Sequence, residues 1–491
     1  MGFSDLGCYG AEIATPNLDA LAASGLRFTQ LYNMGRCCPT RASLLTGRYP
    51  HQAGMGHMTD DRGQDGYRGD LHAHCVTVAQ VLRDAGYSTF MVGKWHVTKF
   101  VAPRASEEQR KNWPLERGFD RFFGVLKGTS DSFEPNGLFL DNTHQRSVEP
   151  GFYTTDAFVD HAIRFLAERP KDRPFFLYTA FNAPHFPVQA PAEDIARYRG
   201  RYKAGWDTLR EQRRRRQIEL GIVDERWPLS PRSERVSAWN QLSPKEQDRF
   251  DEMMAIYAAS VSCMDAAVGR LVASLRQDGS LDDTLILFLS DNGGNAETGP
   301  KGQLKGDPSK AGGQSHCGES WANLRNTPFR MFKHSNHEEG IATPLVVHWP
   351  AGIRSRGELR HQAAHLIDIM PTCVSLAGAT YPTQRAGSDI LPMEGLSLLP
   401  AFANEPLERE ALFWEHEGHA AIRAGDWKLV RARRNGPWEL YDMRQDRTEL
   451  EDLADREPAR VKSLESRWIA WAERAKVVPY PGEDRRGEAE Q

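Results

Sequence analysis

Residues 284–294 read Thr284-Leu285-Ile286-Leu287-Phe288-Leu289-Ser290-Asp291-Asn292-Gly293-Gly294. The first six are apolar or β-branched with no polar face. They describe a strand covered on both sides, and the Ser-Asp-Asn-Gly-Gly that follows reads as a turn at its carboxyl end. The same pattern recurs elsewhere. Pro174-Phe175-Phe176-Leu177-Tyr178-Thr179-Ala180-Phe181 ends at Asn182-Ala183-Pro184-His185, and Ser88-Thr89-Phe90-Met91-Val92 runs into Gly93-Lys94-Trp95-His96. Pro344-Leu345-Val346-Val347-His348-Trp349 is a further buried-strand candidate.

Helical segments separate these strands. Thr15-Pro16 opens a short helix that Gly25 closes. Helices are predicted over 40–46, 77–85, 156–168 and 253–275, with a polar, aromatic insertion over 198–248. Apolar strands alternating with helices give an α/β fold with a layered sheet. Polar residues follow the strands' carboxyl ends, where open α/β sheets place their ligands. From about Ala411 the pattern changes to short strands (Ala420–Arg423, Lys428–Arg431) and a helix near Ala459–Arg474. We therefore expect a catalytic domain over 1–405 and a small C-terminal α+β subdomain with an antiparallel sheet over 406–491.

The 491 residues are 40% hydrophobic and 26% charged, with a formal net charge of -4. Nothing in that balance draws the chain to nucleic acid or to an anionic membrane. The one basic run, Arg213-Arg214-Arg215-Arg216, reads as a solvated helix face. No apolar run approaches the ~20 residues of a membrane span, so none is expected. Seven cysteines at irregular spacing, with no CxxC pair, argue against a cysteine zinc site and against a disulfide framework.

That leaves the cysteines a chemical role, and one motif supplies it. Cys37-Cys38-Pro39-Thr40-Arg41 continues as Ala42-Ser43-Leu44-Leu45-Thr46-Gly47-Arg48. A cysteine at a helix N-terminus, with an arginine one turn on, sits in a positive field that favours a reactive species.

This stretch resembles the sulfatase signature, and the likeness extends over nearly the whole chain, nearest to bacterial-type arylsulfatases. The resemblance implies an alkaline-phosphatase-like fold, with a central mixed sheet flanked by helices. It implies that Cys37 is converted to Cα-formylglycine by a formylglycine-generating enzyme. Cys38 lies one position too late for the Pro and Arg spacing. A hydrated aldehyde carries two hydroxyls on one carbon: one can attack sulfur, and the other lets the resulting covalent sulfo-enzyme eject sulfate.

The remaining elements match by resemblance. Lys94 would hold a sulfate oxygen, and His96 would take a proton from the formylglycine hydroxyl; on an extended segment, residues i and i+2 face the same side. His185 would protonate the leaving group. Arg41 and Lys333 complete the catalytic set. Asp291 and Asn292, with the modified Cys37, would hold Ca2+ or Mg2+. Ser130 or Thr129 is a further candidate substrate contact. Glu339, in Glu338-Glu339-Gly340, stands where the family has glycine. It is expected to strain the turn if positive φ is needed there, and to bring negative charge near the anion site.

The family usually has an apolar strand ending in two aspartates just ahead of the Met1-Gly2-Phe3-Ser4-Asp5 stretch. Both are metal ligands. The chain starts after them, so an N-terminal truncation and an open groove inside the sheet are expected, and periplasmic, secreted and cytoplasmic locations all stay open. The substrate implied is a sulfate ester. The alternatives are a phosphate or phosphonate monoester hydrolase of the same superfamily, or a metal-deficient, inactive binding protein.

Overall fold

The computed structural model describes residues 1–481. Its strands are β1 (Leu26–Tyr32), β2 (Ser88–Lys94), β3 (Arg121–Val125), β4 (Leu138–Leu140), β5 (Thr143–Gln145), β6 (Phe175–Ala180), β7 (Ile286–Leu289), β8 (Gln303–Lys305), β9 (Gln314–His316), β10 (Ala342–His348), β11 (Glu358–Arg360), β12 (Ala364–His365), β13 (Gln384–Arg385), β14 (Ser388–Asp389), β15 (Leu412–His416), β16 (His419–Ala424), β17 (Trp427–Arg431) and β18 (Glu439–Asp442). Two larger sheets carry the site. One runs β11-β1-β10-β7, with β12 also on β1; the other runs β5-β4-β3-β2-β6. Both are mixed: β2 is parallel to β3 and β6, whereas β10 is antiparallel to β1 and β7. The architecture is thus α/β, as expected.

Strand burial separates two classes. β2 and β10 are buried along their whole length, as apolar runs flanked by hydrogen-bonded neighbours should be. β6 and β7 have the same apolar composition and are only half-buried. Each is the last strand of its sheet. Every residue of both strands lines one cavity of about 930 Å³, together with Met1. The cavity therefore lies between the edges of the two sheets. It opens at its upper end onto Lys94, His185, Asp291 and Lys333.

The helix Pro244–Gln277 starts well before the predicted 253 because Ser243 caps it, accepting from Glu246 N–H. By length and composition it is apolar enough to cross a membrane, a test that a buried core helix also passes. Its apolar window is 61% buried inside the protein, as in a core helix. Within the helix Gly205–Glu219, the basic run is not a uniformly solvated face. Arg213 is buried, bonding Asp5 at 3.0 Å and Glu12 at 2.8 Å, and only Arg215 and Arg216 are exposed. Its position faces the N-terminal loop, whose carboxylates neutralise it.

From β15 on, the four strands form an antiparallel meander, β15-β16-β17-β18, and the helix Pro458–Arg474 packs Trp468 and Trp471 into the same core. This unit is tied to the rest by a fully buried ionic network. Lys428 Nζ lies 2.9 Å from Glu338 Oε1 and 2.8 Å from Glu449 Oε1, and Arg447 Nε lies 2.8 Å from Glu338 Oε2. Removing one member would leave a buried charge uncompensated, at several kcal/mol in typical buried pairs, on the order of 3–5.

Candidate active site

The helix Cys37–Thr46 begins at Cys37, three residues before the predicted start, with Arg36 as its extended N-cap. Cys37 therefore sits at the positive end of the helix. The two neighbouring thiols are driven apart. A hydrogen bond with Cys38, then the charges of Lys94 and His96, hold Cys37 well below the usual thiol range. Burial pushes Cys38 well above it.

Lys94 ends β2. It is 1% exposed, and its Nζ has no hydrogen-bond partner. A buried ammonium with three unused donors is expensive unless an anion fills the space, and burial lowers its pKa. His96 reaches the same place by a route the sequence did not predict. The segment is not extended at His96, which has φ 59°. The strand stops at Lys94, and the backbone turns while Trp95 and His96 N–H still bond Val125 and Leu126 carbonyls at 2.9 and 3.1 Å. The ring then lies over Gly128, where a Cβ would fall 2.3 Å from Cε1. Ligand atoms of Cys37, Cys38 and His96 lie within 4.8 Å of one another.

His185 follows β6. Its Nδ1 donates to the Phe186 carbonyl at 2.7 Å, which leaves Nε2 free to face the pocket. Burial, then Lys94 and Lys333, hold it well below the usual histidine range. Lys333 also reaches the pocket, 3.2 Å from Glu297 Oε1. Glu297 was not expected. It lies six residues past Asp291 on a loop with no motif of its own. The stacked rings of Phe186 and His316, with centroids 4.7 Å apart, were also missed; both line the pocket.

Arg41 grips Asp291 with two nitrogens, Nε at 3.1 Å and Nη2 at 2.9 Å, and donates to the Lys94 carbonyl. It orients the carboxylate and the end of β2. That pairing, with Lys94, holds the Asp291 carboxyl well below its usual range in spite of burial. Asn292 spends its amide on the Gly293 carbonyl, leaving a buried Oδ1 with no donor. A carboxylate beside an unpartnered buried amide oxygen is a hard-cation donor pair, so these residues fit two positions of such a shell.

Two expectations change. Ser130 Oγ donates to the Asp131 carbonyl and Thr129 is exposed; neither lines the pocket. Glu339 causes no strained turn: it lies in the short helix Glu338–Ile341 without positive φ. Its carboxyl is fully buried, and desolvation pushes it well above the carboxylate range, towards the neutral acid.

The sequence comparisons agree with this geometry. The family profile named Sulfatase matches residues 1–379, and the profile for the N-sulphoglucosamine sulphohydrolase C-terminal region matches 329–468. An uncharacterized sulfatase of Schizosaccharomyces pombe is 31% identical over 525 residues, 98% of this chain and 93% of that protein. An arylsulfatase of Klebsiella aerogenes is 34% identical, over 81% of this chain and 89% of that one. Among solved structures, Ps i-CgsB in complex with k-i-k-neocarrahexaose aligns with a TM-score of 0.70 at 25% identity, covering 96% of this chain and 90% of that one. A phosphonate monoester hydrolase of Agrobacterium radiobacter shares the fold at 20% identity and a TM-score of 0.60, covering 96% and 94%. The chain belongs to the sulfatase family and is a sulfuric ester hydrolase.

Proposed function

We propose that this chain hydrolyses arylsulfatase-type sulfate monoesters with Cys37 in its Cα-formylglycine form. The observation that carries the reading is Lys94: a buried, unpartnered ammonium beside Cys37, in a pocket that Lys333 and His185 share. A singly charged sulfate ester supplies the oxygens this ammonium lacks. The modified Cys37 would provide a geminal diol, whose one hydroxyl attacks sulfur and whose other hydroxyl later releases sulfate. Asp291, Asn292 and the modified Cys37 would hold Ca2+ or Mg2+, which adds positive charge where the sulfuryl group gains negative charge.

The residues of the chain do the rest. Lys94 and Lys333 bind and orient the sulfuryl oxygens in a water-poor pocket, where such contacts gain strength. His96, wedged against Gly128, takes the hydroxyl proton. His185 Nε2 becomes the leaving-group acid once the bound anion raises its proton affinity. Arg41 keeps Asp291 and Lys94 in register.

Co-expression with a formylglycine-generating enzyme tests the proposal. Tryptic mass spectrometry should locate the aldehyde at Cys37, and aryl sulfate should be turned over faster than aryl phosphonate. Modification of Cys38 alone, or a preference for the phosphonate, overturns it.

A further inference from the structure

A second polar cluster lies where the C-terminal meander meets the loop after Lys333. His416 ends β15, and Glu417 occupies the turn to β16. His416 is fully buried, and its Nε2 has no hydrogen-bond partner. Its Nδ1 lies 3.4 Å from the Gly56 carbonyl, an acceptor only. The ring proton therefore belongs on Nδ1, and Nε2 presents a lone pair. That lone pair faces Glu417 Oε1 at 3.8 Å.

His334 completes the set. Its Nε2 lies 3.1 Å from the carboxylate of Glu297, so Nε2 is the donor. Its Nδ1 lies 2.9 Å from Arg36 Nη1 and 3.0 Å from Glu417 Oε2, a contact in which a metal ion could take the place of the ring proton. Ligand atoms of His334, His416 and Glu417 lie within 4.8 Å of one another. Two imidazole nitrogens and a carboxylate thus converge. Each histidine has its other nitrogen fixed by a carboxylate or a carbonyl, the outer-shell arrangement that orients metal-bound imidazoles. His334 and Glu417 also hold φ of 86° and 52°, conformations that cost non-glycine residues on the order of 1–3 kcal/mol.

We propose that His334, His416 and Glu417 form a second metal site, for a divalent transition ion of the Zn2+ class. Two imidazoles and one carboxylate are its donors, whereas Ca2+ and Mg2+ take oxygen. His57, whose Nε2 lies 2.8 Å from Glu417 Oε1, is placed to become a fourth donor. Arg36, 2.7 Å from the same oxygen, competes for it and must give way. The bound ion would staple the C-terminal hairpin to the loop that carries Lys333. The site is independent of the reading of Cys37 as nucleophile.

Zinc titration of the full 491-residue chain in a Cys37→Ser background, which removes the Cys37 thiolate as a competitor, tests this. Calorimetry and elemental analysis should give one zinc per chain at the cluster, and zinc should raise the Tm. His416→Ala and Glu417→Gln should each weaken Kd at least tenfold and abolish the Tm rise. Glu417 is at an exposed turn, so Glu417→Gln decides if His416→Ala does not fold. No zinc retained by the background chain, or an unchanged Kd in Glu417→Gln, overturns the proposal.

Discussion

The pocket has a floor and a slot beneath it, and the two are built differently. At the floor, β2 and β10 are buried along their length, and Arg41 ties down the end of β2 through the Lys94 carbonyl. Beneath it, β6 and β7 carry His185 and Asp291 at their ends but are half-buried edges on a cavity of about 930 Å³. Two sites on strands of equal hydrophobicity therefore differ in support. An edge strand keeps unpaired N–H and C=O groups along one side, and its end is held less firmly.

The largest effect is expected from closing that difference. A chain extended ahead of Met1 by about ten residues, apolar and ending in Asp-Asp, should place a strand between β6 and β7 and add two carboxylates next to Asp291. Hydrogen exchange should show new protection of the β6 and β7 amides, and Ca2+ affinity and aryl sulfatase activity should rise together. Full activity and Ca2+ binding in the shorter chain would show that the two strands need no partner.

Next come the groups on the floor. Cys37→Ala should abolish turnover, a loss of at least about 10³-fold as for other covalent nucleophiles, while leaving the unfolding midpoint nearly unchanged. Lys94→Ala should lose about 10²–10³ in kcat, the scale of one preorganised donor. Retention of activity in either variant would move the chemistry elsewhere. A smaller, selective effect separates the histidines. His185→Ala should lose more on an alkyl sulfate than on nitrophenyl sulfate, by a factor within the 10²–10⁴ range of acid catalysis, because a good leaving group departs without a proton. His96→Ala should slow sulfate release and show no such split. Equal losses on both substrates for both variants would undo the assignment.

The sequence made the fold legible wherever a strand's apolar run and the turn after it were both strong. β2, β6, β7 and β10 all lie within a few residues of their predicted places. The same runs misjudged burial for β6 and β7, since hydrophobicity reports what a strand would cover and not whether a neighbour is there. In the site, Cys37, Lys94, His185, Asp291 and Lys333 were readable because motifs marked them; the last four line one pocket, and Cys37 lies close enough to Lys94 and His185 to feel and shift their charges. Glu297 and the Phe186–His316 stack were not, because they arrive from loops whose paths depend on tertiary packing. Arg213 was misread because a local run of charges does not show that Asp5 and Glu12, some two hundred residues away, cover one of its members. His96 comes close to Cys37 through a left-handed backbone that period-two reasoning does not contain.

The smallest expected effect lies away from the pocket and tests how rigid the floor's surroundings are. His365 is fully buried, and its Nδ1 accepts the Ile367 N–H at 3.2 Å, which requires the neutral ring. Burial, then the nearby Arg409, holds its pKa well below 6.5. Arg409 itself is bound by Asp368, so that carboxylate is not free to stabilise an imidazolium there. The sign follows from proton counting. Below about pH 6.5 the unfolded chain protonates this residue and the folded chain does not, so its contribution is fully present above 6.5 and is lost as pH falls. The slope is about 1.4 kcal/mol per pH unit until the folded pKa is reached. Urea unfolding between pH 7.5 and 5.5 should therefore fall less steeply for His365→Asn, which keeps an acceptor but cannot titrate, than for the unsubstituted chain. Parallel slopes would mean that the ring takes up a proton without unfolding, and that the packing around the pocket yields more than its burial implies.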